Sequence, residues 1–113
     1  MSKNYLQVEL GGEKRGLKFN LGTLRYIGEI TDKDPIDFSK QLGNLTDIYK
    51  VVYTIVHAGM LSNYDSLNKE ADFSEKDINK WIGEWDLQAA ISTANAFNAA
   101  FTLPEEGSSD TRE

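Results

Sequence analysis

The residues able to do chemistry in this 113-residue chain are few and scattered. Cysteine is absent and there is one histidine. That excludes a disulfide framework, thiolate nucleophiles, iron–sulfur clusters and cysteine-ligated zinc. His57 lies inside an apolar stretch, with no local signature of a nucleophile or an orienting acid. General-base work would need both within reach, so the sequence reads His57 as a structural histidine on a helix flank. Asp32, Asp34 and Asp37 cluster in one turn. A calcium loop counted from Asp32 needs Gly at its sixth position and Glu at its twelfth, and these positions hold Asp37 and Gly43. The acids read instead as helix caps and solvated charge. Gly11-Gly12-Glu13-Lys14-Arg15-Gly16 mixes glycine and base, but Leu17 and Lys18 follow where a phosphate loop needs Lys and Ser or Thr. It reads as a hairpin turn. Asn44-Leu45-Thr46 matches the glycosylation triplet but reads as a helix start. Carboxylates that would serve a small enzyme, Glu29, Asp47 and Glu84, show no spacing that makes them converge.

The elements that would position these residues follow from periodicity. Residues 5–10 alternate, with Leu6, Val8 and Leu10 on one face, and Leu17 and Phe19 alternate in a short return strand. Two strands alone are marginal in water, so this hairpin must lie on helices. Helical spacing begins at Leu21, with Asn20 as N-cap and Leu21, Leu24, Ile27 and Ile30 as the buried stripe. Residues 31–35 break that helix. Asp34 and Pro35 then open a short helix ending near Gly43. Residues 45–61 form the strongest helix. They are apolar on almost every side, as befits a central buried element. Residues 62–72 read as a polar loop. Ser74 and Asp77 form a capping box for a helix carrying Ile78, Trp81, Ile82 and Trp85. Asp86 either caps a separate final helix or lies at a bend in a continuous one. The final helix runs to Phe101, with Leu87, Ile91, Ala94, Phe97 and Phe101 inward. The predicted fold is α+β and mostly helical, a hairpin on a bundle of four to five helices. Residues 1–103 read as a single domain.

Two surfaces carry binding alternatives. Trp81 and Trp85 at helical spacing suit a core, and tryptophan is also enriched at binding hot spots. Ala89, Thr93, Ala96 and Ala100 form a stripe of small residues that admits a close helix. That helix is either a neighbour in the same chain or one from outside, a client or a second copy.

Composition narrows the partners. The net charge is −6, which opposes a nucleic-acid footprint. No apolar run reaches the roughly 18 residues of a membrane span. The N-terminus lacks a signal peptide's apolar region, so the chain reads as cytoplasmic. Residues 104–113 carry four acids and one base, and read as a disordered acidic tail dispensable for folding.

The order of these features resembles a family. It comprises a glycine-turn hairpin ending in Leu17-Lys18-Phe19-Asn20, a short helix at 21–29, and an apolar helix at 48–59. A helix opening Phe73-Ser74-Glu75-Lys76-Asp77-Ile78 and an alanine-rich helix with Phe97 and Phe101 complete it. The pattern is similar to that of the tail assembly chaperones of long-tailed bacteriophages and prophages, over residues 5–101. The resemblance implies a non-enzymatic role without cofactor or metal. Such chaperones hold the tape measure protein soluble while tail tube subunits polymerise around it, and are then displaced. It further implies action in the host bacterial cytoplasm, absence from the mature virion, and in some phages a frameshifted longer form. Contact with the tail tube protein and self-association stay open, as does a role as a small structural subunit for tail completion or connection.

Overall fold

The computed structural model describes residues 4–31 and 48–101. Two strands, β1 (Tyr5–Leu10) and β2 (Glu13–Lys18), pair antiparallel with Leu10 opposite Glu13 and Tyr5 opposite Lys18. The turn is two residues, Gly11 and Gly12, at φ of 64° and 84°. Both need the left-handed region that a tight hairpin turn with the strands' own twist requires, and glycine enters it without steric cost. The turn is therefore shorter than the predicted six residues. Glu13, Lys14 and Arg15 belong to β2 instead, so Arg15 shares a face with Leu17 and Phe19.

Helix α1 (Leu21–Thr31) starts on a reciprocal cap. The Thr23 N–H donates to Asn20 Oδ1 at 3.1 Å, and the Asn20 N–H donates to Thr23 Oγ1 at 2.9 Å. Leu21 is 81% exposed, against expectation. A three-residue spacing drifts by about 60° per step on a helix of 3.6 residues per turn. Leu21 thus stands about 120° from the fully buried Ile27, and Thr23 fills the inward place.

Helix α2 (Ile48–Ser66) is the centre of the molecule, with Val51, Val52, Ile55, Val56 and Met60 buried completely. It packs against β2, α1 and both later helices. Gly59 admits the hairpin: a Cβ there would stand 3.0 Å from Leu17 Cβ. The helix runs through residues predicted as loop, and Ser62, Asn63 and Tyr64 are buried. Partners in the rest of the fold explain this. Ser62 donates to Asn20 Oδ1 at 2.6 Å, Tyr26 donates to Asp65, and Arg15 donates to Tyr64. The buried hydroxyls of Ser62 and Tyr64 are thereby hydrogen-bonded within the fold, which offsets their desolvation cost. The helix stops at Asn68, whose φ is 59°. There the Lys69 N–H bonds Tyr64 O and the Asn68 N–H bonds Asp65 O, closing a left-handed C-terminal cap.

Helix α3 (Glu75–Gly83) carries the expected capping box between Ser74 and Asp77. Helix α4 (Leu87–Phe101) is separate, its start capped by Asp86 accepting from the Ala89 N–H at 2.9 Å. Its inward face is Thr93, Ala94 and Phe97. Leu87 and Ile91, predicted inward, are 53% and 37% exposed. The Phe97 ring, edge-on to Phe19 at 5.6 Å, sets the rotation of the helix. Ile91 then lies about 120° away from it, given 3.6 residues per turn.

The fold is α+β and mostly helical, with the hairpin on four helices among the described residues. Among the described residues no helix is long and apolar enough to cross a membrane. The predicted helix at 35–43, the Asp32–Asp34–Asp37 cluster, Asp47 and the acidic tail lie outside the described residues.

Candidate functional site

A cleft of about 560 Å³ opens between the hairpin and the corner where α3 meets α4. One wall is residues 6–9 of β1 with Gly11 and Gly12 of the turn. The other is Trp81 and Glu84, then Trp85 and Asp86 of the corner, then Ala89, Ser92 and Thr93 of α4. Four of the six residues singled out from sequence, Trp81, Trp85, Ala89 and Thr93, are thus brought to one wall. Ala96 and Ala100 are not part of it; they pack, partly buried, against the core. The small-residue stripe is divided between the cleft and the interior.

Both indoles are held in place by polar contacts. Trp85 Nε1 donates to the Glu9 carbonyl at 3.1 Å. Trp81 lies against the turn so closely that a Cβ on Gly11 would fall 2.4 Å from its Nε1. The Arg15 guanidinium sits 4.6 Å from the Trp81 ring centroid, within cation–π range. Arg15 is itself clamped. It donates to Tyr64 Oη at 3.1 Å and approaches Asp72 at 3.4 Å and Glu13 at 3.5 Å. Tyr64 in turn donates to Asp72 at 2.8 Å. That hydroxyl, helped by Arg15, holds the Asp72 carboxyl below the usual range, while burial and then Asp72 push the Tyr64 hydroxyl up. The network ties β2, α2 and the segment before α3 into one block beneath the tryptophans. A wall fixed before any ligand arrives loses little freedom on binding.

With Arg15 read as part of the turn, this network is not legible in the sequence. The available signal is the alternation of Arg15 with Leu17 and Phe19, since a base on an apolar strand face needs a buried partner.

The remaining chemistry-bearing residues lie apart from the cleft. The His57 ring stands 5.6 Å from that of Tyr53 and 6.2 Å from that of Phe73. Burial lowers its pKa, so it is held as the neutral imidazole, and its Nδ1 has no partner among the described residues. Glu29 faces Arg25 on α1 at 3.8 Å, whereas Glu84 is on the cleft wall. Among the described residues no three or more His, Asp or Glu side chains are grouped to hold a metal. The cleft's charged residues are Glu9, Glu84 and Asp86, all acidic. The arrangement suits recognition: fixed aromatic surface, an acidic field and a few hydrogen-bonding groups.

Compared with known proteins, the chain matches no family model, no curated protein and no solved structure.

Proposed function

We propose that this chain is a non-enzymatic assembly chaperone that binds a tape measure protein and keeps it soluble during phage tail morphogenesis. The observation that carries the binding reading is the pair Trp81 and Trp85, converging on one wall of the cleft with their positions held by Gly11, Arg15 and Glu9. Large, rigid aromatic surface at low entropy cost is what hot spots use. The choice of client rests on the resemblance of residues 5–101 to tail assembly chaperones. The acidic charge supports the reading too, since net charge keeps a holdase from associating with itself. In this account the protein acts in the host bacterial cytoplasm and leaves before the virion is complete.

Co-expression tests it. The cognate tape measure protein should be soluble and co-purify with this chain, and should aggregate without it. Equal aggregation in both cases, with no complex captured, would end the proposal. Retention of the chain in purified particles would make it a structural subunit instead.

A further inference from the structure

The open edge of β1 gives the cleft a second recognition element. Across a two-residue turn, hydrogen-bonded pairs begin at Leu10 with Glu13 and then alternate. The Phe19 N–H donating to Asn4 O at 2.8 Å continues the same alternation. Asn4, Leu6, Val8 and Leu10 therefore turn their peptide groups toward β2, and Tyr5, Gln7 and Glu9 turn theirs away. Among the described residues the sheet has two strands, so no strand lies on that outer edge. The Glu9 carbonyl there is taken by Trp85, which marks where the edge closes. Gln7 is exposed, lines the cleft, and presents both an N–H and a C=O to it. Unpaired edge groups are a template for an added strand.

Charge identifies the occupant. With Glu9, Glu84 and Asp86 as its charged lining, the cleft favours a cationic segment. Residues 102–113 of this chain are net acidic, and a second copy would bring the same three acids into one slot. We propose that an extended, basic peptide segment of the client adds to the β1 edge at Gln7. Successive side chains of a strand point to opposite faces. Side chains on one face of the added strand would stand beside Glu9, and those on the other beside Val8, against the wall that carries Trp81, Glu84, Trp85 and Asp86. The proposal rests on the chaperone reading for the identity of the client, and on the edge and charge for its mode.

The probe is a capped octapeptide alternating lysine and valine, titrated into the ¹⁵N-labelled full chain. Saturable shifts are expected at the Gln7 N–H and the Trp85 indole N–H, with slowed exchange of the former. A glutamate–valine peptide, and a lysine–valine peptide N-methylated on alternate residues so that its pairing edge is blocked, should each bind about tenfold more weakly or worse. Gln7→Pro should bind equally poorly. Its lost N–H faces outward and costs no bond to β2, a position edge strands allow proline. Glu84→Lys, which leaves the edge intact, should also weaken binding by about tenfold. Undiminished binding of the N-methylated peptide would overturn strand addition. So would equal binding of a helix-forming lysine–alanine peptide of the same charge. A dimer in solution whose Gln7 N–H is already protected would show that a second copy holds the edge, and would overturn the choice of occupant. Captured tape measure protein without peptide binding would remove this inference and leave the chaperone reading. Peptide binding without capture would do the reverse.

Discussion

Phe19 and Trp85 both rest on the same hairpin, and the fold uses them in opposite ways. Phe19 is 2% exposed, edge-on to Phe97 and over Gly59, on the face that closes onto α2. Its work is apolar burial. Trp85 stays partly exposed at the open edge of β1, with its N–H on the Glu9 carbonyl. One aromatic is fixed by close packing and the other by a directional bond. Trp85 also packs against the core, and the part of the ring that stays exposed, held in a fixed orientation, is available to a partner. Residue type alone does not separate these uses; the hydrogen bond and the side of the sheet do.

The closed side should fail most severely when broken. Val52 is fully buried in α2. Val52→Asp places an unpaired charge in a dry core and should cost about 3–5 kcal/mol, read as a large fall in melting temperature or as loss of folded protein. An unchanged melt would mean α2 is exposed.

Gly11→Ala tests the seam between the two sides. Its φ of 64° costs an L-residue about 1–2 kcal/mol. The added Cβ also drives into Trp81, which Arg15 holds from elsewhere. Destabilisation should come with a displaced Trp81 indole resonance. A variant as stable as wild type with an unmoved resonance would refute the described turn. Ser62→Ala removes the donor to Asn20 and leaves that cap half-used. A loss of about 1 kcal/mol is expected from chemical denaturation.

His57 gives the smallest effect. Burial holds its pKa below the ordinary value. The native state therefore binds fewer protons than the unfolded chain, and stability falls as pH drops below about 6.5, the unfolded value. His57→Phe should flatten the slope between pH 7 and pH 5 relative to wild type. An identical slope would place the titration elsewhere.

These contrasts explain what was legible in the sequence. The hairpin's alternation, the Asn20 cap, the Ser74–Asp77 box and the Asp86 cap are local, so short-range pattern finds them. Residues 62–64 read as loop because the burial of Ser62 and Tyr64 depends on distant partners, Asn20 and Arg15. Leu87 and Ile91 were misplaced because one ring contact, Phe97 on Phe19, sets the rotation of α4. Half of the site was readable as a tryptophan pair beside small residues. The other half, the outer edge of β1, has no strand beside it among the described residues, and spacing along one strand carries no sign of that.

The central claim is that Trp85, packed partly against the core, has the further role of meeting a partner. Trp85→Phe keeps an aromatic ring, though a smaller one, and removes the donor to Glu9. Measuring its melting temperature beside the amount of soluble tape measure protein it sustains on co-expression tests the claim most directly. Stability within about 2 kcal/mol of wild type, for one hydrogen bond and a smaller ring, is expected together with a marked loss of soluble client. Full client solubility from a variant that melts normally would contradict it, as would client loss only in proportion to lost folding.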